Sequence, residues 1–249
     1  MLRELWIAQL KKYEEEYQKF MLIDNFPKYE IETKEASIET ADSQGFDSIA
    51  AAFYQPQTQK HTLKVSTNLL LTKHVIFHEF THILDSESYV NGDKMRYAGL
   101  SGFTEYHASQ IELMQLLNAK NINDKIEFSM NEVVDTISGG KTIFQYIHDK
   151  QNHAIKLFER KDFPANLETL KTAIGILYNY WGVRSICEMY STDYVENINN
   201  DAFLKVIPTQ HFCPINNLMH RWLDKTSIDA SIPLYINIIF PLIQQFGLA

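Results

Sequence analysis

The stretch KHVIFHEFTHILDSE, residues 73–87, decides how the rest of this sequence is interpreted. Its apolar residues recur at helical spacing and Thr72 precedes it as a candidate N-cap, so it predicts a helix with a buried face. His78 and His82 stand four positions apart, which places both imidazoles on one helix face, one turn apart. Two imidazoles at this spacing can bind one zinc ion, at about 2.0–2.1 Å from each nitrogen.

Glu79 lies between these histidines and has a separate expected task. Zinc lowers the pKa of a bound water to about 7, so a hydroxide nucleophile is available at neutral pH. Glu79 is then the expected general base, which accepts a proton from that water. The pattern therefore predicts metal-assisted hydrolysis, and the alternative is a pair of packed or exposed histidines without a metal.

A third candidate ligand is Glu105, in the segment GFTEYHAS. Two histidines followed by a carboxylate on the next helix resemble the zincin metallopeptidases of the glutamate-ligand (gluzincin) type. The resemblance implies that His78, His82 and Glu105 bind Zn²⁺ and that the fourth position is left for water. The run EYHASQIELMQLL, within a match over about residues 45 to 118, is similar to the corresponding helix of the ImmA/IrrE family of regulatory peptidases. Thr81 stands where that family usually has glycine.

Other side chains near the motif remain open as ligands or as partners of ligands. Glu112 shares a helix face with Glu105, so it is either a partner of a ligand, a solvated carboxylate or a ligand itself. His107 points to another side of that helix. His74, one turn before His78, is expected to be an exposed histidine of the first turn, and the alternative is a hydrogen bond near the site.

Ligand side chains and a developing oxyanion both need hydrogen-bond partners. The candidates for orienting a ligand are Asp85 and Ser109. The candidates for the oxyanion donor are Tyr89, Tyr97, Tyr106, His107, His211 and His220, among which the sequence does not choose.

Around the motif the sequence predicts an α+β fold that is mostly α. Residues 2–22 are expected to be a helix, and residues 28–40 alternate between apolar and polar as a strand does. Residues 49–56 and 61–67 predict a β-hairpin. The resemblance to the zincins implies that the second of these strands lies at a sheet edge, where an extended peptide can pair with it. The alternative is an ordinary strand inside the sheet.

The second half of the chain is predicted to be helical. A helix is expected to start near Gly102, and from Asn118 onward helices follow one another, with Gly139 and Gly140 as an interruption. The apolar stretch 232–243 is expected to be a buried helix too short to span a bilayer. The predicted organisation is a zincin-like α+β part, residues 1–120, and a helical part, residues 121–249, with a soft boundary.

The net charge, the N-terminal residues and the cysteines limit which partners and which location are expected. A net charge of −8 disfavours nucleic acid, because an acidic surface repels phosphates. The N-terminal residues lack the apolar core of a signal peptide, and Cys187 and Cys213 form neither a disulfide framework nor CxxC spacing. These features favour a cytoplasmic protein that does not bind membranes.

The expected function is a cytoplasmic zinc endopeptidase acting on a peptide or protein. The Gly-x-Met-Glu-Asn motif typical of aminopeptidases does not occur before HEFTH, which counts against exopeptidase action. Two alternatives remain: a helical interaction protein of a bacterial or mobile element that retains a zinc site without turnover, and a zinc hydrolase acting on another bond.

Overall fold

The computed structural model describes residues 2–35, 49–196 and 200–248. The protein is 58% helix and 13% strand, so the predicted class, α+β and mostly α, is confirmed. The elements in chain order are α1 (Leu2–Met21), β1 (Tyr29–Lys34), β2 (Ala50–Gln55), β3 (Lys60–Ser66), α2 (Lys73–Tyr89), α3 (Lys94–Leu116), β4 (Val133–Thr136), β5 (Gly139–Thr142), α4 (Ile143–Phe158), α5 (Leu167–Tyr190), α6 (Asp201–Leu204), α7 (Thr209–Leu218) and α8 (Lys225–Gln245).

Strand β3 is the central strand of a three-stranded sheet with the order β1–β3–β2. Strands β2 and β3 pair antiparallel, with Ala52 opposite Leu63, which confirms the predicted hairpin. The prediction that residues 61–67 form an edge strand is wrong, because β1 pairs in parallel with the other side of β3. The edge on the hairpin side is β2. The part of the predicted strand 28–40 beyond residue 35 lies outside the described residues.

Helix α3 begins at Lys94, so the prediction of a start near Gly102 is wrong. The glycines inside this helix allow close packing and do not end it. A methyl group at Gly99 would lie 2.5 Å from Cγ2 of Ile232, and one at Gly102 would lie 2.5 Å from the ring of Tyr178. Glycine at these positions therefore lets neighbouring side chains lie against the helix backbone.

A β-hairpin replaces part of the predicted helical region. Strands β4 and β5 pair antiparallel, with Val133 opposite Thr142. Gly139 has φ of 93°, a left-handed conformation that favours glycine, so it belongs to the turn. Helix α4 then begins at a capping box, in which the Thr142 hydroxyl accepts from the backbone N–H of Gln145 at 3.1 Å.

Contacts between Cα atoms divide the chain into two compact units, Met1–Lys94 with Ile111–Ile126 and Met95–Gln110 with Glu127–Ala249. In the first unit α2 packs on α1 and β2, and the rings of Tyr17 and Phe77 meet edge to face at 5.1 Å. In the second unit α5 carries the core, with Trp181 fully buried against Phe212. The predicted boundary near residue 120 stays a prediction.

Within the described residues, helix α8 is the one that is long and apolar enough to cross a membrane, with a mean hydropathy of 1.4. A core helix of a soluble protein passes the same test. The helix is longer than the apolar stretch suggested, because it begins after Asp224, whose side chain caps it. Ile228 and Leu242 are buried whereas Phe240 is exposed, so the helix buries one face.

Candidate metal centre

Helix α2 is oriented by contacts of its buried face. The Tyr17 hydroxyl donates to the Thr81 hydroxyl at 3.0 Å, and Thr81 in turn donates to the carbonyl oxygen of Phe77 at 2.8 Å. Thr81, Phe77 and Phe80 are all buried, which leaves the adjoining face of the helix for the motif histidines. Thr72 occupies the predicted N-cap position, but its side chain makes no capping hydrogen bond.

The two histidines of the motif lie close together. The imidazole rings of His78 and His82 are 4.9 Å apart between centroids and inclined by 71°. Each histidine offers a ring nitrogen and Glu105 offers a carboxylate oxygen, and all three residues are partly buried. The predicted ligands therefore have the chemistry of a metal site, and the role of each as a ligand stays a prediction.

Glu112 lies against the first histidine. Its Oε2 is 3.0 Å from Nδ1 of His78, with both side chains mostly buried. When this carboxylate is ionised it accepts a hydrogen bond from Nδ1–H, and in that neutral tautomer Nε2 of His78 keeps its lone pair for a cation. This contact fits the role of a partner that orients a ligand, which is one of the alternatives for Glu112.

Glu79 lies against the edge strand β2. Its Oε2 accepts a hydrogen bond from the backbone N–H of Ala52 at 2.7 Å. Because backbone groups of alternate residues in an antiparallel pair point away from the partner strand, Ala50 and Tyr54 share this outward edge with Ala52. The carbonyl of Ile49 accordingly faces β3 and accepts from Ser66 N. No sequence signal points to Ala52, because its contact spans 27 residues and uses backbone atoms.

Other candidates near the motif have different environments. His74 is 6% exposed, so the expectation of an exposed histidine is wrong; the first turn of α2 is covered on that side. Ser109 donates to the side chain of Asn179 at 2.8 Å, and His107 stacks on Phe103 with ring centroids 5.6 Å apart. Asp85 is buried.

Two of the candidate oxyanion donors are engaged elsewhere. The Tyr106 hydroxyl donates to the carbonyl oxygen of Arg221 at 2.7 Å, and burial raises the pKa of this phenol. His220 lies 2.8 Å from a carboxylate oxygen of Glu188 through Nδ1. Tyr89 is half-buried, and burial and the charge of Asp85 raise its pKa.

A second group of ligand-type side chains is formed by Glu188, Glu196 and His220. Arg184 lies fully buried beside it, with its guanidinium 3.5 Å from Glu188 and 3.7 Å from Glu196. The same guanidinium lies 3.2 Å from Nε2 of His220. Because a positive side chain already pairs with both carboxylates, this group is an ion-pair cluster.

No protein-family model, curated protein or solved structure matches the chain.

Proposed function

We propose that this protein is a zinc-dependent endopeptidase, with His78, His82 and Glu105 as zinc ligands and Glu79 as general base. The observation that carries the proposal is that the imidazole rings of His78 and His82 lie 4.9 Å apart on one helix, with the carboxylate of Glu112 3.0 Å from Nδ1 of His78. Two imidazoles and one carboxylate form the donor set of catalytic zinc sites such as His₂Glu centres, in which a fourth position stays open.

The surroundings of the donors support a metal. A histidine that binds zinc usually donates its other ring N–H to a carboxylate or carbonyl, which fixes the tautomer and raises the basicity of the ligand. Glu112 stands in that relation to His78, at 3.0 Å from Nδ1. Glu79, by contrast, is anchored on a backbone N–H, which favours a role beside the metal over a role as a further ligand.

A bound zinc ion would polarise the substrate carbonyl and make a water molecule acidic enough to attack at neutral pH. Glu79 accepts a proton from the attacking water while the water oxygen bonds to the carbonyl carbon. When the C–N bond breaks, Glu79 returns the proton to the leaving nitrogen, and a carboxylic acid and an amine result.

The edge strand β2 supports a peptide as the substrate. Its outward backbone groups lie on the side that carries the Ala52–Glu79 contact. An extended peptide can add to such an edge through main-chain hydrogen bonds, which present its scissile carbonyl to the residues next to the strand. Strand addition of this kind recognises the backbone of the peptide and accepts many different side chains.

The test of the proposal is the variant Glu79→Gln, with Glu87→Gln as its matched control on the same helix. The carboxylate of Glu87 lies 3.0 Å from Nε2 of His61 and is far more exposed than the motif residues. Zinc stoichiometry and cleavage of internally quenched peptides with blocked ends would be measured for each. We expect Glu79→Gln to keep its zinc and lose about 10²–10⁴-fold in turnover, and Glu87→Gln to retain both.

Two outcomes would contradict the proposal. A Glu79→Gln variant with full turnover would exclude Glu79 as the base. A wild-type protein that binds zinc but cleaves none of the peptides would favour an interaction protein that retains a zinc site without catalysis.

A further inference from the structure

The hydroxyl of Tyr17 reaches from helix α1 into the segment of α2 that carries the motif histidines. It donates to the Thr81 hydroxyl at 3.0 Å, and the Thr81 hydroxyl donates to the carbonyl oxygen of Phe77 at 2.8 Å. Thr81 has one hydroxyl proton, and because Phe77 accepts that proton, the Thr81 oxygen is left to accept from Tyr17. The two hydrogen bonds therefore run in one direction, from α1 into the backbone of α2.

The two residues of α2 that take part in these hydrogen bonds each precede a candidate ligand. Phe77 precedes His78, and Thr81 precedes His82. The carbonyl of Phe77 belongs to the planar peptide unit that joins this residue to His78, so the second hydrogen bond ends on the backbone of the first histidine. A rotation of α2 about its axis would move both imidazoles and would break the contact with Tyr17.

The other contacts of Tyr17 with α2 are apolar. Its ring lies edge to face with the rings of Phe77 and Phe80, at 5.1 Å and 5.5 Å between centroids. Apolar burial is non-directional, whereas a hydrogen bond weakens steeply when its angle changes. Tyr17 and Thr81 are both 0% exposed, so water does not replace the hydrogen bond between them. The hydroxyl contact therefore defines the rotation of α2 more closely than the ring contacts do.

We propose that Tyr17 is a positioning residue for the candidate ligands His78 and His82. Its hydroxyl, acting through Thr81, fixes the rotation of α2 at which the two imidazoles bind one cation. This inference rests on the zinc site of the proposed function and does not depend on catalysis at that site. Binding constellations require ligands that are held to within about 0.5 Å by the packing and hydrogen bonds behind them.

The test uses the full chain, with zinc and cobalt(II) as the probes. Zinc affinity would be measured by competition with a chelator, and the visible absorption of bound cobalt(II) would report the geometry of its ligands. The melting temperature of the metal-free protein would report stability. Tyr17→Phe removes the hydroxyl and keeps the ring. Tyr13→Phe is the control, because Tyr13 is also on α1 but donates to the carbonyl oxygen of Leu71 at 3.4 Å, before α2 begins.

Two variants of Thr81 test the same hydrogen bond from its other end. Thr81→Val removes the hydroxyl and keeps a branched side chain, whereas Thr81→Ser keeps the hydroxyl and loses a methyl group. Thr81→Val leaves the Tyr17 hydroxyl buried without a partner, so it should lower the melting temperature more than Tyr17→Phe does. Thr81→Ser should lower the melting temperature through the lost methyl group but should still accept from Tyr17.

We expect Tyr17→Phe and Thr81→Val to weaken zinc binding by about 3–10-fold, the range that one hydrogen bond contributes, and to change the cobalt(II) spectrum. Tyr13→Phe and Thr81→Ser should keep the zinc affinity and the spectrum of wild type, even where they lower the melting temperature. A hydroxyl with a merely structural role would change the melting temperature alone.

Zinc affinities and cobalt(II) spectra of Tyr17→Phe and Thr81→Val equal to those of wild type would overturn the positioning role and leave the proposed function standing. Equal losses in Thr81→Ser and Thr81→Val would also overturn it, because Thr81→Ser keeps the hydroxyl. A wild-type protein that binds neither ion would overturn the zinc site and the positioning role together. A wild-type protein that binds zinc and cleaves no peptide would overturn the endopeptidase alone.

Discussion

At the scale of single residues, the three candidate glutamates have different surroundings. Glu112 faces Nδ1 of His78, Glu79 faces a backbone N–H of β2, and the carboxylate of Glu105 lies beside Gly175. The contacts of Glu112 and Glu79 fit the supporting tasks that the proposed function assigns to them, with Glu105 as the proposed ligand.

This difference predicts the effect of removing each carboxylate on zinc affinity. Glu112→Ala removes only the partner of His78 and should weaken binding by about 10–100-fold. Glu105→Ala removes a proposed ligand and should weaken it by a larger factor. Isothermal titration of both variants with zinc measures the difference, and loss of zinc from the Glu112 variant alone would show that the ligand assignment is wrong.

At the scale of elements, strand β2 has two unequal sides. Ala52, whose backbone groups point outward, donates to Glu79, whereas the residues on either side of it form the ladder with β3. Proline lacks the N–H donor and is tolerated where a strand has a free edge. Two proline variants can therefore distinguish the role of the outward edge of β2 from the role of its hydrogen bonds with β3.

Ala52→Pro should keep the fold and the zinc but lower turnover, because Glu79 loses the donor that orients it. Ala51→Pro should lower the free energy of unfolding by about 1–3 kcal/mol, since it leaves an acceptor on β3 unpaired. Urea unfolding and peptide cleavage measure the two effects. Equal turnover of Ala52→Pro and wild type would show that the Ala52 contact does not orient the base.

Helices α3 and α5 cross closely at one glycine. A methyl group at Gly182 would overlap the carbonyl oxygen of Tyr106 and lie 2.9 Å from Cβ of Ser109. Gly182→Ala should therefore destabilise the protein by about 1–3 kcal/mol through overpacking. Gly175→Ala, which would place its methyl group at ordinary contact distance from Glu105, should cost much less. Thermal melting of both variants tests this, and an equal loss would contradict it.

At the scale of the whole molecule, the sequence pattern predicts those elements that form through contacts between residues near one another in the chain. The helix of the motif and the hairpin of β2 and β3 follow from spacing and alternation within short stretches. The parallel pairing of β1 with β3 does not, because it joins stretches far apart in the chain. The sequence pattern does not predict the β4–β5 hairpin. Each of its strands is only four residues long, and the stretch stands between segments with helical patterns.

The candidate site divides in the same way. His78 and His82 can be found from their spacing of four residues, whereas Glu112 meets His78 across 34 residues of sequence. Glu79 likewise meets the backbone N–H of Ala52 across 27 residues of sequence. Sequence spacing therefore proposes the ligands, and only the packed structure identifies the residues that orient them.

The most direct test of the central claim is the metal content of the purified protein. Wild-type protein prepared without chelators would be analysed for zinc beside His82→Ala and the Glu87→Gln control. We expect one zinc per chain in wild type and in the control, and loss of zinc from His82→Ala. Wild-type protein without zinc, or a His82→Ala variant with a full complement of zinc, would contradict it.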